Sequence, residues 1–257
     1  MDANDPSQRF PPLAISDLLV LTLTVSFALA IVAPDVHDSL SVPMDQLRIP
    51  RWQLVAPEVT DYTAFGLAIF GMIVLARQKM RGSTCPLSPG NWIFIAFGPF
   101  AVLRLITGSW REVLAAYWFN NHQVLFQVMD NLLFAIVLSV SLVFILRGVR
   151  SLEPHWRVCL FCIFVWLLMG CAWCILEIAQ SRGMLRRELI VGWTTAWVSA
   201  FVAACVAAAI DMRRGILRDW LHYVAFVLLA LYAASNVLHH GALTVKWWSG
   251  LLSHVLP

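Results

Sequence analysis

The chain has 257 residues, of which 60% are hydrophobic and 13% charged, with a mean hydropathy of +0.75 and a formal charge of +3. Soluble domains carry about 25% charged residues, so this chain has too little polar surface to cover a particle in water. The net charge is small, its basic residues sit in short clusters between apolar runs, and no nucleic-acid-binding motif occurs, which excludes DNA and RNA as partners and leaves the lipid bilayer.

Apolar runs fall at 13–33, 62–76, 91–107, 124–146, 158–180, 189–210 and 221–241. A helix needs roughly 20 residues to cross a hydrocarbon core about 30 Å thick, so the runs predict an all-α polytopic membrane protein, a bundle of about seven transmembrane helices forming one domain over 1–257. The second and third runs are short and must recruit flanking polar residues. No ten-residue alternating segments of a barrel occur, and open strands leave backbone groups unsatisfied in lipid. Twelve Trp, many near the ends of the runs, fit interfacial aromatic belts.

The first run ends near Ala28-Leu29-Ala30, which resembles a signal-peptide cleavage site, but Asp2 and Asp5 against Arg9 leave no positive leading segment, so the run is expected to be retained. Between the first two runs, Pro34, Pro43, Pro50 and Pro57 interrupt a stretch bearing Asp35, Asp38, Asp45, Glu58 and Asp61. Residues 34–61 are therefore expected to form an extended extracytoplasmic loop, since proline disfavours helix. Residues 110–121 place Trp110, Leu114 and Trp118 on one face, and the tail 244–257 repeats Val245, Trp248, Leu252 and Val255 at helical spacing, so both are expected to lie along the interface. The other loops are short.

Lys and Arg set the orientation. Arg9, then Arg77, Lys79 and Arg81, then Arg147, Arg150 and Arg157, then Arg213, Arg214 and Arg218 fall on one side, which predicts N-in/C-out. Arg182, Arg186 and Arg187 form the one cluster that breaks the pattern.

Two C-x-x-C pairs, Cys159-Leu-Phe-Cys162 and Cys171-Ala-Trp-Cys174, lie twelve residues apart on one predicted helix. That is about 18 Å along the axis, too far for four thiolates to share a zinc ion. Membrane enzymes that make disulfides with quinone use such a pair on the oxidising side, whereas Cys159 and Cys162 fall at the predicted inner end and the long outer loop contains no cysteine. These thiols read as small packing residues. His222 and His240, eighteen residues apart, share a helix face at opposite ends, about 27 Å apart; with His122 and His155 they outline a bis-histidine haem arrangement, a membrane-anchor reading that is the weakest of those considered.

The pattern with most chemistry is an outer polar cluster. Arg104, Asp130, Asn131, Glu177, Asn236, His239 and His240 all sit at helix ends that an up-down bundle places on one side. Ionisable groups at depth cost a few kcal/mol unless paired, and Arg104 with Asp130 is the expected couple; the alternative is a set of separate residues that snorkel to the surface. Asp130, Glu177, His239 and His240 would be the ligands or base of a metal-dependent hydrolase. Seven-helix lipid hydrolases carry a last-helix histidine pair spaced four apart, a pattern absent here because His239 and His240 are adjacent, about 100° apart around the helix. The same groups would suit a small-molecule or proton transporter, with Gly98-Pro99 as the candidate helix break.

Small residues such as Ala203, Ala204, Ala207 and Ala208 suit packing against other membrane subunits, and no Walker or Rossmann glycine pattern occurs. The sequence thus points to a non-enzymatic structural, anchoring or ligand-binding subunit in a cell (inner) membrane, with an intramembrane hydrolase or transporter as the alternative. No cofactor is implied.

Overall fold

In the computed structural model, residues 14–41, 50–82, 87–178, 185–216 and 218–255 are described, without the side chains of 108–127 and of a few further positions near helix ends. They form six helical elements: α1 (Ile15–Ser41), α2 (Arg51–Met80), α3 (Pro89–Ser151), α4 (Pro154–Ile178), α5 (Leu185–Arg213) and α6 (Trp220–Val255), of which α3 turns back on itself. No strand occurs among the described residues. Seven stretches are long and apolar enough to cross a membrane, because α3 contributes two, Pro89–Thr107 and Val128–Ser151.

The two stretches of α3 lie side by side. The rings of Phe100 and Phe134 are 5.7 Å apart, although a straight helix would separate those positions by roughly 51 Å. A Cβ on Gly148 would come within 2.6 Å of the Trp92 ring. Both pairs fix an antiparallel arrangement, so the chain reverses direction between Thr107 and Val128. The remaining helices alternate up and down: α3 packs on α4, α4 on α5, α5 on α6, and α2 closes the ring against α3 and α6. α1 lies outside the ring and packs mainly on α2, leaving Leu19, Leu23 and Phe27 exposed as a lipid-facing surface.

Several boundaries differ from those read in the sequence. Residues 34–61 are not one extended loop. α1 continues to Ser41 with Pro34 inside it, and α2 begins at Arg51 with Pro57 inside it, so Glu58 and Asp61 are helical. Proline in a helix costs about 3 kcal/mol when its lost hydrogen bond is not compensated. The Pro57 ring is buried in the bundle, and Ser235 Oγ on α6 donates to the Pro57 carbonyl at 3.2 Å; that bond does not replace the missing N–H donor, so it is packing of the ring that outweighs the local preference. α4 starts at Pro154, four residues before the apolar run, with its first position filled by a residue that needs no N–H partner there. α3 passes through Gly98-Pro99 without interruption, so the expected break is absent. α6 continues as helix to Val255; the side chains of Trp248, Leu252 and Val255, and of 110–121, lie outside the described residues.

A close approach sets the α1–α2 crossing. A Cβ on Gly66 would lie 2.7 Å from the Val25 Cα and 3.0 Å from the Thr24 carbonyl oxygen. These are backbone atoms, which no rotamer change can move aside. Gly66→Val is expected to lower stability by about 1 to 3 kcal/mol, read as a fall in Tm by thermal unfolding in detergent. An unchanged Tm would mean that α1 does not dock at Gly66.

Candidate functional site

Polar side chains gather at the two ends of the bundle, separated by an apolar and aromatic middle. At one end stand the start of α1, the end of α2, the start of α3, the α3–α4 turn and the α5–α6 turn, tied peripherally by Arg77 to Asp17 at 3.5 Å. Its centre is Asp211, near the end of α5 and only 3% exposed. Trp156 Nε1 donates to Asp211 Oδ2 at 2.9 Å, Arg218 Nε donates to the same oxygen at 2.8 Å, and His155 Nε2 lies 2.9 Å from Oδ1. Arg218 also donates through Nη2 to Glu153 Oε1 at 3.0 Å. One guanidinium therefore ties the α5–α6 turn to the α3–α4 turn.

Beside this pair of turns, Asp219 Oδ1 accepts the His222 backbone N–H at 2.7 Å, and the Gly90 N–H donates to His222 Nδ1 at 3.1 Å. A His222 Nδ1 that accepts carries no proton, so the neutral ring has its hydrogen on Nε2. The ring meets Trp156 edge-on, 4.7 Å between centroids. Burial opposes ionisation of Glu153, but its backbone hydrogen bond and Arg218 outweigh that and hold the carboxyl below the usual range. Burial raises Asp219 above it. Burial likewise opposes the charge on Arg218, which its bonds to Asp211 and Glu153 nevertheless strengthen.

Both Asp211 oxygens are engaged, and the guanidinium is shared between two carboxylates. This network works as a latch across α3, α4, α5 and α6. Sequence reading passed over Asp211, because its partners His155 and Trp156 are more than fifty residues away. His155 and His222, two of the four haem candidates, are both built into this latch; His240 stands at the opposite end, and the side chain of His122 lies outside the described residues.

At the opposite end, the cluster read from the sequence divides into two neighbourhoods. Arg104 and Asp130 both act electrostatically on Cys174, and the Arg104 guanidinium carbon lies 5.3 Å from the centroid of the Phe134 ring. Asp130 is buried, Asn131 beside it is half-buried, and Glu177 is half-buried in the last turn of α4. The second neighbourhood lies between α2 and α6. His239 Nε2 is 3.8 Å from Glu58 Oε1, and His239 Nδ1 is 3.5 Å from Ser235 Oγ. His240 stacks loosely on His239 with centroids 5.6 Å apart. Asn236 is buried and spends its amide on the Tyr232 carbonyl one turn back, at 2.8 Å.

Glu58, Asp61 and Ser235 complete this second neighbourhood; an extended loop over 34–61 gives Glu58 and Asp61 no helix face, and Ser235 carries no charge to mark it. Glu58, Asp61 and Phe65 are spaced i, i+3, i+7, which would have placed them on one helix face had the stretch been treated as helical. Asp61 faces Ser235, and Glu58, His239 and Arg104 are all near enough to act on its charge. Its Oδ1 atom is buried and takes no hydrogen bond among the described residues.

The floor beneath is aromatic. Phe65, Phe97, Phe100, Trp166, Trp197 and Tyr232 touch one another, with Trp197 to Tyr232 at 4.5 Å and Phe97 to Tyr232 at 4.6 Å between centroids. Asp130, Glu177, His239 and His240 do not converge: among the described residues, no three His, Cys, Asp or Glu side chains are gathered so as to hold a metal ion. The thiols of the C-x-x-C pairs are free; Cys159 Sγ donates to the Ala200 carbonyl at 3.4 Å, and Cys171 Sγ lies 3.8 Å from Ser139 Oγ.

Comparison with protein-family models, with curated proteins and with solved structures finds no match. The residues therefore carry the functional argument alone.

The latch generates a sharp expectation. Asp211→Leu strands the Trp156 N–H and half of the Arg218 pairing in a dry site, and removing one partner of a buried pair costs about 3 to 5 kcal/mol. Thermal unfolding in detergent should show a large fall in Tm, and a variant as stable as wild type would show that the latch holds nothing together.

Proposed function

We propose that this polytopic membrane protein is a non-enzymatic ligand-binding or anchoring subunit, and that its outer polar cluster is the binding surface. The observation that carries this reading is the contrast between the ends. At one end Asp211 takes three polar contacts and is tied to Arg218, whereas the other holds Glu58, Asp61, Ser235, Asn236 and His239 along the α2–α6 seam, with a buried carboxylate oxygen that has no hydrogen-bond partner among the described residues. Ionisable groups kept at depth in a bundle mark ligand or ion sites by default. The aromatic floor supports entry from the outer side only.

In this reading the N-terminus is cytoplasmic, the C-terminus is outside, and the membrane is a cell (inner) membrane. The basic residues Lys79, Arg81, Arg147, Arg150, Arg157, Arg213 and Arg214, all exposed and all at the latch end, support that orientation. Transport of a small ion or molecule is the second reading, favoured by the buried Oδ1 of Asp61.

The decisive experiment is analysis of the purified protein for bound small molecules, metals, haem absorbance and co-purifying proteins, in parallel with His239→Ala. Loss of a bound molecule or partner in the variant supports the outer site, and an identical composition in both samples overturns it. Orientation is tested by cysteine-accessibility labelling in intact cells, in which a probe at Ser41 should react and one at Ser83 should not; the reverse pattern inverts the topology. Arg104 and Asp130 are proposed to act as a pair beside Cys174. Arg104 is exposed, so a double-mutant cycle of Arg104→Leu and Asp130→Leu should give a coupling of about 1 kcal/mol, and simple additivity of the two Tm shifts would dissolve the pair.

A further inference from the structure

Asp61, whose carboxyl is hydrogen-bonded by Ser235, keeps a second oxygen, Oδ1, buried and without a hydrogen bond from the described residues. It lies one turn above Phe65 and so directly over the aromatic floor, and it faces Ser235 across the α2–α6 seam. The charged and titratable groups facing it are Glu58 on its own helix, His239 and the Tyr232 phenol on α6, and Arg104 on α3. Glu58 is turned toward His239 at 3.8 Å, and the guanidinium of Arg104 sits over the Phe134 ring. Oδ1 of Asp61 is thus sealed from the surface without a hydrogen bond from the described residues.

A desolvated carboxylate oxygen is far costlier than an apolar atom unless positive charge meets it. The size of that charge is limited by the surroundings. Rings packed at 4.5 and 4.6 Å between centroids leave no depth below Asp61 for an organic cation. A divalent or transition metal would want several anionic or imidazole ligands, and among the described residues no three such side chains converge. Two further oxygens do stand at the seam, Ser235 Oγ and the Pro57 carbonyl, 3.2 Å apart. Above them His239, about one-third exposed, joins Ser235 to Glu58 and forms the rim.

We propose that the Asp61 carboxylate is the seat of a monovalent cation, a proton or a sodium ion, which enters from the outer rim past His239 and Glu58. A proton would sit on Oδ1 of a carboxyl whose charge the Ser235 hydroxyl also stabilises. A sodium ion would add Ser235 Oγ and the Pro57 carbonyl as neutral oxygen ligands. This rests on the reading of the outer end as a binding surface and narrows it to one residue and one class of ligand.

The test compares the full-length protein with Asp61→Asn in detergent by thermal unfolding, in two arms. One arm holds pH constant and exchanges choline chloride for sodium chloride; the other varies pH in choline chloride alone. In the wild type, a Tm rise of about 4 °C with sodium identifies the ion as sodium, and a comparable rise as pH falls, without a sodium response, identifies it as a proton. In either case Asp61→Asn should flatten the responsive arm. If both arms run parallel in wild type and variant, the proposal is overturned.

Should Asp61→Asn fail to insert, Ser235→Ala takes its place. Loss of the hydroxyl should shift the midpoint of the responsive arm at least about threefold in cation concentration, because one of the few polar neighbours is gone. An unmoved midpoint also overturns the proposal. If the arms fail while His239→Ala still loses a bound molecule or partner, only the cation assignment falls and the outer binding surface stands.

Discussion

Hydrocarbon offers no partner for a backbone N–H or C=O, and this constraint governs the rest of the molecule. Each crossing segment must satisfy its own peptide groups, so the chain folds as helices, and the helices must reverse outside the apolar layer. Side chains inherit the same rule. Polar groups collect at the two ends of the bundle, and the middle is left to Phe, Trp and Tyr rings and to close approaches such as Gly66 on Val25. Pro57 is held within α2 with its ring packed away from lipid, and Ser235 on α6 donates to its carbonyl.

The two polar ends solve the cost of buried charge in opposite ways. At the latch, Asp211 accepts from Trp156 and Arg218 and meets His155, while Arg218 reaches on to Glu153, so that charge is balanced inside a few ångströms and two turns are clamped together. Such a network is rigid and leaves little for a ligand to gain. At the other end the contacts are longer, with His239 3.8 Å from Glu58 and 3.5 Å from Ser235, and a carboxylate oxygen stays without a hydrogen bond from the described residues. A loosely connected polar seam above a closed aromatic floor can rearrange around a small guest, which is why function is sought there.

The sequence by itself determined the elements whose cause is local. The lengths of the apolar runs decide how many segments can cross a bilayer, and the seven stretches of the structure follow from that length rule alone, together with the all-helical class. It also marked His239, Asn236, Arg104 and Asp130 as ends on one side, since alternation of an up-down bundle requires nothing beyond counting. Only the tertiary structure decided which of these side chains meet. His155 and Trp156 find Asp211 across more than fifty residues, and Asp61 finds Ser235 across more than a hundred and seventy. Local preference also misled at Pro34 and Pro57, both of which are helical; at Pro57 burial of the ring against the bundle outweighs the proline penalty. Pair contacts of this kind depend on how helices rotate and slide against one another, and that is set by the summed packing of the whole bundle, which no single stretch of sequence contains.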